Sequence, residues 1–303
     1  MFDEAPAVLA VLTARDLADL GAPDYTLSDL RDEWGLSDLD LATDAVVAEA
    51  PNGKIAGYAI VRRPGTLAVV APEHEGQGIG TKLLRWSEQR AREQGRPRYR
   101  QWIAANNHRA RELLVGAGYE HRRSYWRMTR VLDAASSLSR RDAPEAPDLP
   151  SGYRHRTLDV ARDGETVHAL DDICFAGSSD HEPGPFEAFA DEHLRAHDFD
   201  PTASLVIERG DELAGYLLAR RWRGESVGFV DLLGVHPQHR GRGIGTWLLL
   251  SAFARFAAAG LREAQLGVAS DNPRALRIYE RAGMHPRFRS DIYERPAEAP
   301  DAR

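Results

Sequence analysis

Cysteine is nearly missing: Cys174 is the only one in 303 residues, so neither an intramolecular disulfide nor a cysteine-based zinc site can form. Lysine is almost as scarce, with only Lys54 and Lys82, and arginine supplies the remaining basic side chains. Even so, acidic residues prevail, and the formal net charge of -7 argues against a general nucleic-acid binder. No apolar run approaches the ~20 residues that a bilayer-crossing helix needs. The start, Met1-Phe2-Asp3-Glu4, is acidic where a secretory signal would be basic. A cytoplasmic protein without membrane contact is therefore expected.

What is present describes an ordinary globular chain, 43% hydrophobic and 28% charged. At 303 residues, two domains are the natural expectation, since one domain usually takes about 100–200. The strongest local signal is Arg240-Gly241-Arg242-Gly243-Ile244-Gly245, followed by Thr246 and the apolar Trp247-Leu248-Leu249-Leu250. Glycines at every second position free the backbone to bend closely around a ligand. The helix that follows turns its unpaired N–H groups and positive dipole end back on the same bend. Such a site suits an anion, above all a phosphate.

Around that loop the chain reads strand (227–235), loop, long helix to about 260, strand (263–268), helix (273–281), a stop at Gly283 and a strand (290–294). Ahead of it stand a strand at 153–157, helices at 164–175 and 185–197, and a hairpin of 204–208 with 214–220. The first half repeats this order. Helices at 5–20 and 25–34 precede a hairpin of 45–50 with 55–61, a strand at 66–70, a helix to about 94, a strand at 99–103, a helix at 108–115 and a strand at 124–130.

The repeat holds register at an offset of 165 residues. Pro72 and His74 meet Pro237 and His239; Gly76, Gly78, Ile79, Gly80, Thr81, Leu83 and Leu84 meet Gly241, Gly243, Ile244, Gly245, Thr246, Leu248 and Leu249. Further on, Asn107, Arg109, Ala110, Ala117 and Gly118 meet Asn272, Arg274, Ala275, Ala282 and Gly283. One domain has been duplicated. Residues 1–135 are expected to form the first copy, 136–151 a Ser/Pro-rich linker, 152–295 the second copy and 296–303 a tail.

The loop is not a P-loop, because Gly245 is followed by Thr246-Trp247 with no lysine. Nor is it a dinucleotide fingerprint, since no third glycine stands three residues after Gly243 or Gly245. What remains is a strand, then Arg-x-x-Gly-x-Gly, a long helix, and Asn-x-x-Ala-x-x-x-Tyr-x-x-x-Gly, met here by Arg240, Gly243, Gly245, Asn272, Ala275, Tyr279 and Gly283. This pattern resembles the GNAT superfamily of N-acetyltransferases over both halves of the chain. The tandem layout, with Phe175, His181-Glu182-Pro183 and Phe199-Asp200-Pro201, is similar to the mycothiol synthase group within it.

The resemblance implies an α/β fold of two tandem domains, each a mixed, splayed β-sheet flanked by helices. It implies acetyl-CoA as cosubstrate, with its pyrophosphate on residues 240–245 and Thr246, and its pantetheine arm along Leu233, Gly234 and Val235. Tyr279 would protonate the departing thiolate; a phenol near pKa 10 still holds its proton at neutral pH. Asn272 would cap its helix and touch the pantetheine. Asp231 would serve as base, as holder of an ammonium group, or as a structural hydrogen-bonding residue. Glu182 is a candidate substrate ligand, while His236 and His239 are expected to face solvent and Cys174 to be a small core residue.

At the matching positions the first copy carries Glu75 for Arg240, Leu114 for Tyr279 and Thr66 for Asp231. It is expected to be catalytically silent, with Gly76, Gly78 and Gly80 as a possible second CoA site. The acceptor is expected to be a primary amine on a small molecule or peptide, a cysteinyl amine being the alternative. A non-catalytic CoA-binding module is the reading from another class. No metal is expected, and the chain should be a monomer or homodimer.

Overall fold

The computed structural model describes residues 2–63, 65–132, 148–178, 181, 183–222 and 226–297. Glu182, the expected linker up to residue 147 and most of the expected tail lie outside them. Contacts divide the chain into two compact units, Met1–Tyr125 with Phe288–Arg303, and Trp126–Arg287.

The first unit opens with helices α1 (Ala5–Asp19), α2 (Leu27–Trp34) and the single turn α3 (Leu41–Asp44). A capping box starts α2: Thr26 Oγ1 accepts from the Asp29 N–H, and the Asp29 carboxylate accepts from the Thr26 N–H. Strands β1 (Ala45–Glu49) and β2 (Ile55–Val61) form an antiparallel hairpin, and β3 (Thr66–Val70) pairs antiparallel with β2. After it come α4 (Ile79–Glu93), β4 (Arg98–Ala104), α5 (His108–Gly116) and β5 (Glu120–Val131), the last crossing the division between the units. Val8, Val11 and Leu12 of α1 are buried with Tyr58, Ile60 and Val69 of the sheet.

In the second unit the order is β6 (Arg154–Thr157), α6 (Val160–Phe175), α7 (Phe186–Phe189), β7 (Leu205–Arg209), β8 (Glu212–Trp222), β9 (Val227–Val235), α8 (Ile244–Ala258), β10 (Glu263–Ala269) and α9 (Pro273–Arg281), with β11 (His285–Pro296) leading out. Antiparallel pairs join β6 to β7, β7 to β8 and β8 to β9, while β9 and β10 are parallel. Helix α8 buries Ile244, Trp247, Leu248, Leu249, Leu250, Ala252, Phe253 and Phe256. Each large apolar side chain so buried contributes roughly 1.5–3 kcal/mol. The approach to the sheet is close: a Cβ on Gly228 would lie 2.4 Å from the Phe256 ring. Among the described residues no helix is long and apolar enough to cross a membrane.

The units differ from the expected segments 1–135 and 152–295 in their last strands. Residues 290–296 of β11 pair antiparallel with β4 in the first unit, and β5 stands beside β10 in the strand order of the second. Leu132 N–H donates to Arg262 O at 2.7 Å on that side. The repeated halves thus exchange their final strands. Because the two strands descend from the same element, each fits the other's place, and the exchange keeps the pairing while swapping the covalent path.

Candidate active site

The site in the second unit begins where β9 loses a neighbour. Its pairing with β8 continues to Val235 opposite Gly215, but β10 pairs only up to Leu266 opposite Val230. Beyond that point Leu233, Gly234 and Val235 offer backbone groups on the β10 side to an extended ligand, since buried peptide groups need partners. Glycine is obligatory at 234, where a Cβ would sit 2.3 Å from a Tyr216 ring carbon and 3.0 Å from the Cys174 sulfur.

The splay ends on the glycine loop. Gly241 and Gly243 adopt φ of 78° and 82°, in the left-handed region that L side chains avoid. Nothing stands within 4 Å of a Cβ built on either, so they are glycine for conformation and not for lack of room. The first backbone bond of α8 runs from Trp247 N–H to Gly243 O at 2.9 Å. That leaves the N–H groups of Ile244, Gly245 and Thr246 without a partner in the helix, aimed at the bend. Arg242 is exposed beside it.

Arg240 behaves differently from its neighbours. Its N–H is engaged by Pro237 O at 3.3 Å, while its guanidinium donates to Val235 O at 3.0 Å and to Cys174 O at 2.8 Å. Here it ties the loop to the end of β9 and to the last turn of α6. Asn272 Oδ1 accepts from Ala275 N–H at 3.1 Å and caps α9. On α9, Tyr279 is half-buried against the apolar cluster that Leu233 and Val235 also pack on. Burial pushes its phenol up to about 12, so it keeps its proton throughout the neutral range.

Asp231 sits at a β-bulge, for Leu218 faces Leu232 and Ala219 faces Val230, leaving Asp231 as the extra residue. Its Oδ2 lies 2.8 Å from His193 Nδ1 and 3.0 Å from Arg220 Nε. Burial alone would raise this carboxyl; the Arg220 guanidinium and His193 outweigh it and hold the group at about 2. Arg220 is braced in turn by Asp198 Oδ1 at 3.2 Å and Glu192 O at 2.6 Å. Asp231 is thus an anion held between the Arg220 guanidinium and the His193 ring.

The model of the Acetyltransferase (GNAT) family matches residues 14–119 and again residues 165–284. The chain belongs to the GNAT acetyltransferase family. A mycothiol acetyltransferase of Streptomyces bingchenggensis (strain BCW-1) is 32% identical over 249 residues, covering 79% of this chain and 77% of that protein. The GCN5-related N-acetyltransferase of Sphaerobacter thermophilus superposes with a TM-score of 0.80 at 26% identity, over 99% of this chain and 94% of that one. A tandem GNAT protein from the clavulanic acid biosynthesis pathway shares the fold, with a TM-score of 0.72 at 16% identity over 99% and 96% of the two chains. The α/β fold of two tandem GNAT domains is as the resemblance implied, and this GNAT protein is an acetyl-CoA-dependent N-acetyltransferase.

Two GNAT-site expectations need correction or completion. His239 is not solvent-facing: it is 6% exposed, and its Nδ1 lies 2.9 Å from the Tyr153 hydroxyl. His193 carries no local signal in the sequence. The stretch 185–197 reads as one helix, but α7 stops at Phe189 and a wide turn, Ala190–Leu194, follows, closed by Arg195 N–H to Ala190 O at 2.8 Å. Wide turns of this kind often mark functional sites, and this one carries His193. No periodicity ties His193 to Asp231, 38 residues later. Cys174, only partly buried, has its thiol pushed up by burial to about 11, which leaves almost no thiolate at neutral pH.

The first GNAT unit keeps the geometry with other side chains. Gly76 and Gly78 adopt φ of 74° and 79°, and β3 pairs with β4 only at Thr66 and Leu67. A cavity of about 800 Å³ lies against that splay and against Gly76, Gly78 and Gly80. Into the loop region Glu75 brings a carboxylate, held by Arg15 Nη1 at 2.5 Å and Arg109 Nε at 3.3 Å. Leu114 is buried, and Thr66 has neither charge nor bulge, since β2 and β3 pair without a register shift.

Proposed function

We propose that the second unit transfers the acetyl group of acetyl-CoA to a primary amine of a small molecule or peptide by direct attack, without an acyl-enzyme. The observation that carries this reading is the unpaired edge of β9 ending on the glycine loop of α8, with a proton-holding phenol packed on the same apolar cluster. The residues fit CoA. Leu233, Gly234 and Val235 would bind the pantetheine amides, and Gly241, Gly243, Ile244, Gly245 and Thr246 the pyrophosphate, with Arg242 adding charge. Arg240 would fix the loop, and Asn272 the start of α9.

Held so, the thioester is presented to an amine, and positioning alone supplies a large part of the rate. The amine lone pair forms the C–N bond, the C–S bond breaks, and Tyr279 donates its proton to the sulfur. No covalent nucleophile is needed, in keeping with a Cys174 thiol near 11. A cysteinyl amine is the more specific acceptor supported by the relatives named mycothiol acetyltransferases. Glu182, outside the described residues, keeps its place as a candidate acceptor ligand.

The test is an acceptor screen that follows free thiol release from acetyl-CoA, run beside Tyr279→Phe. The expected result is kcat lower by about a hundredfold or more with CoA affinity unchanged, the scale of a lost general acid. Equal turnover by the variant would remove the acid assignment. Failure of the protein to bind CoA would remove the whole reading.

A further inference from the structure

We propose that His193 is the catalytic base of the second unit, taking the acceptor's ammonium proton on Nε2, and that Asp231 is its positioning residue. The inference rests on the acetyl-transfer reading above.

Four observations meet here. The bulge at Asp231 places an extra residue in β9 immediately before the splayed segment, where the acceptor must meet the thioester. The wide turn Ala190–Leu194 brings His193 Nδ1 to 2.8 Å from Asp231 Oδ2. Asp231 stays ionised and can only accept, so Nδ1 carries the proton and the neutral ring has its lone pair on Nε2. That nitrogen lies 4.0 Å from the carboxylate of Glu192, beyond hydrogen-bond distance.

The proton arithmetic favours the imidazole. A free amine has a pKa of about 10, so a carboxylate at about 2 is a base weaker by roughly eight powers of ten. Burial would lower the His193 pKa, but Asp231 and Glu192 raise it above its ordinary 6.5 against the opposing charge of Arg220. Asp171 on α6 also faces it; burial raises that carboxyl, which accepts the Tyr216 hydroxyl hydrogen. In the reaction, His193 Nε2 takes one proton from R–NH₃⁺, and the amine forms the C–N bond as the C–S bond breaks. Sulfur leaves with the bonding pair and takes the Tyr279 proton. The surplus proton on the new amide nitrogen restores Tyr279, and the His193 proton goes to solvent.

The test is the pH profile of kcat/KM for wild type, His193→Gln and Asp231→Asn on the same amine, with CoA affinity measured for each. Neutral His193 is required, so wild-type kcat/KM should fall below the His193 pKa. Asp231→Asn removes the charge that raises that pKa, and the acid limb should move to lower pH. His193→Gln should abolish the limb and lower kcat/KM about 10²–10⁴-fold while CoA still binds, which also reports a folded site. A purely structural role would leave the position of the limb unchanged in Asp231→Asn, and that result overturns the proposal, as does wild-type kcat/KM in His193→Gln. Should His193→Gln not fold, the Asp231→Asn limb decides alone. If wild type transfers acetyl to no amine, it is the underlying reading that fails.

Discussion

Both units bend the same loop in the same way, with left-handed φ of 74° and 79° at Gly76 and Gly78 and of 78° and 82° at Gly241 and Gly243. In both, the strand before the loop parts from its parallel neighbour within a few residues. What differs is the charge set beside that shared frame. The second unit leaves the bend open to an anion and ties Arg240 back to Val235 and Cys174. The first spends two arginines, Arg15 and Arg109, on its own Glu75. The loop conformation therefore belongs to the fold, and in the function proposed above the chemistry depends on a handful of side chains around it.

The hardest way to strain that comparison is to damage both loops equally. Valine at a left-handed φ costs on the order of 1–3 kcal/mol wherever it is placed. Gly243→Val should weaken CoA binding and lower acetyl transfer by about a hundredfold, while Gly78→Val should leave transfer within about twofold of wild type. Steady-state kinetics on the two variants, with thermal melts to match the structural cost, make the measurement. Comparable loss of transfer from Gly78→Val would show that the first loop takes part in the reaction.

Much of this was legible in the sequence because it is written in local terms. Glycine spacing, the Asn272 cap and the bounds of β9 and α9 follow from residues near one another in the chain. The repeat then doubled each signal. Three features were not legible, for one physical reason. The exchange of β5 and β11 leaves each strand's own sequence pattern unaltered. The pairing of His193 with Asp231 depends on a bulge and a wide turn, both departures from regular spacing. Burial of His239 depends on Tyr153, 86 residues away. Long-range partners decide what these residues do, and periodicity carries no trace of them.

A gentler change asks whether charge alone closes the first site. Glu75→Gln would release Arg15 and Arg109 onto a loop whose backbone is already shaped for an anion, beside a cavity of about 800 Å³. Titration calorimetry should count one CoA per wild-type chain and two per Glu75→Gln chain, the second held at least tenfold more weakly because Asp19 still pairs with Arg15. Two tightly held CoA molecules in wild type would erase the distinction between the units, and a single one in Glu75→Gln would move its cause from Glu75 to the cavity walls.

The smallest expected effect concerns acid. In the first unit, burial pushes the Asp16 carboxyl up to about 6, against the hydrogen bond it accepts from Asp24 N–H. In the second, Asp231 is held at about 2 by Arg220 and His193 against its burial. A raised carboxyl binds its proton more tightly folded than unfolded, so Asp16 adds stability as pH falls from about 6 toward its ordinary 3.8. A depressed one does the reverse: Asp231 contributes about 2 kcal/mol above pH 3.8, which is lost as pH drops through about 2. Urea denaturation from pH 7 to pH 2 should show Asp16→Asn lacking the gain in the upper range and Asp231→Asn lacking the loss in the lower. If both variants followed the wild-type curve, the opposite electrostatic settings of the two units would have no weight in folding, and their contrast would lie in ligand binding alone.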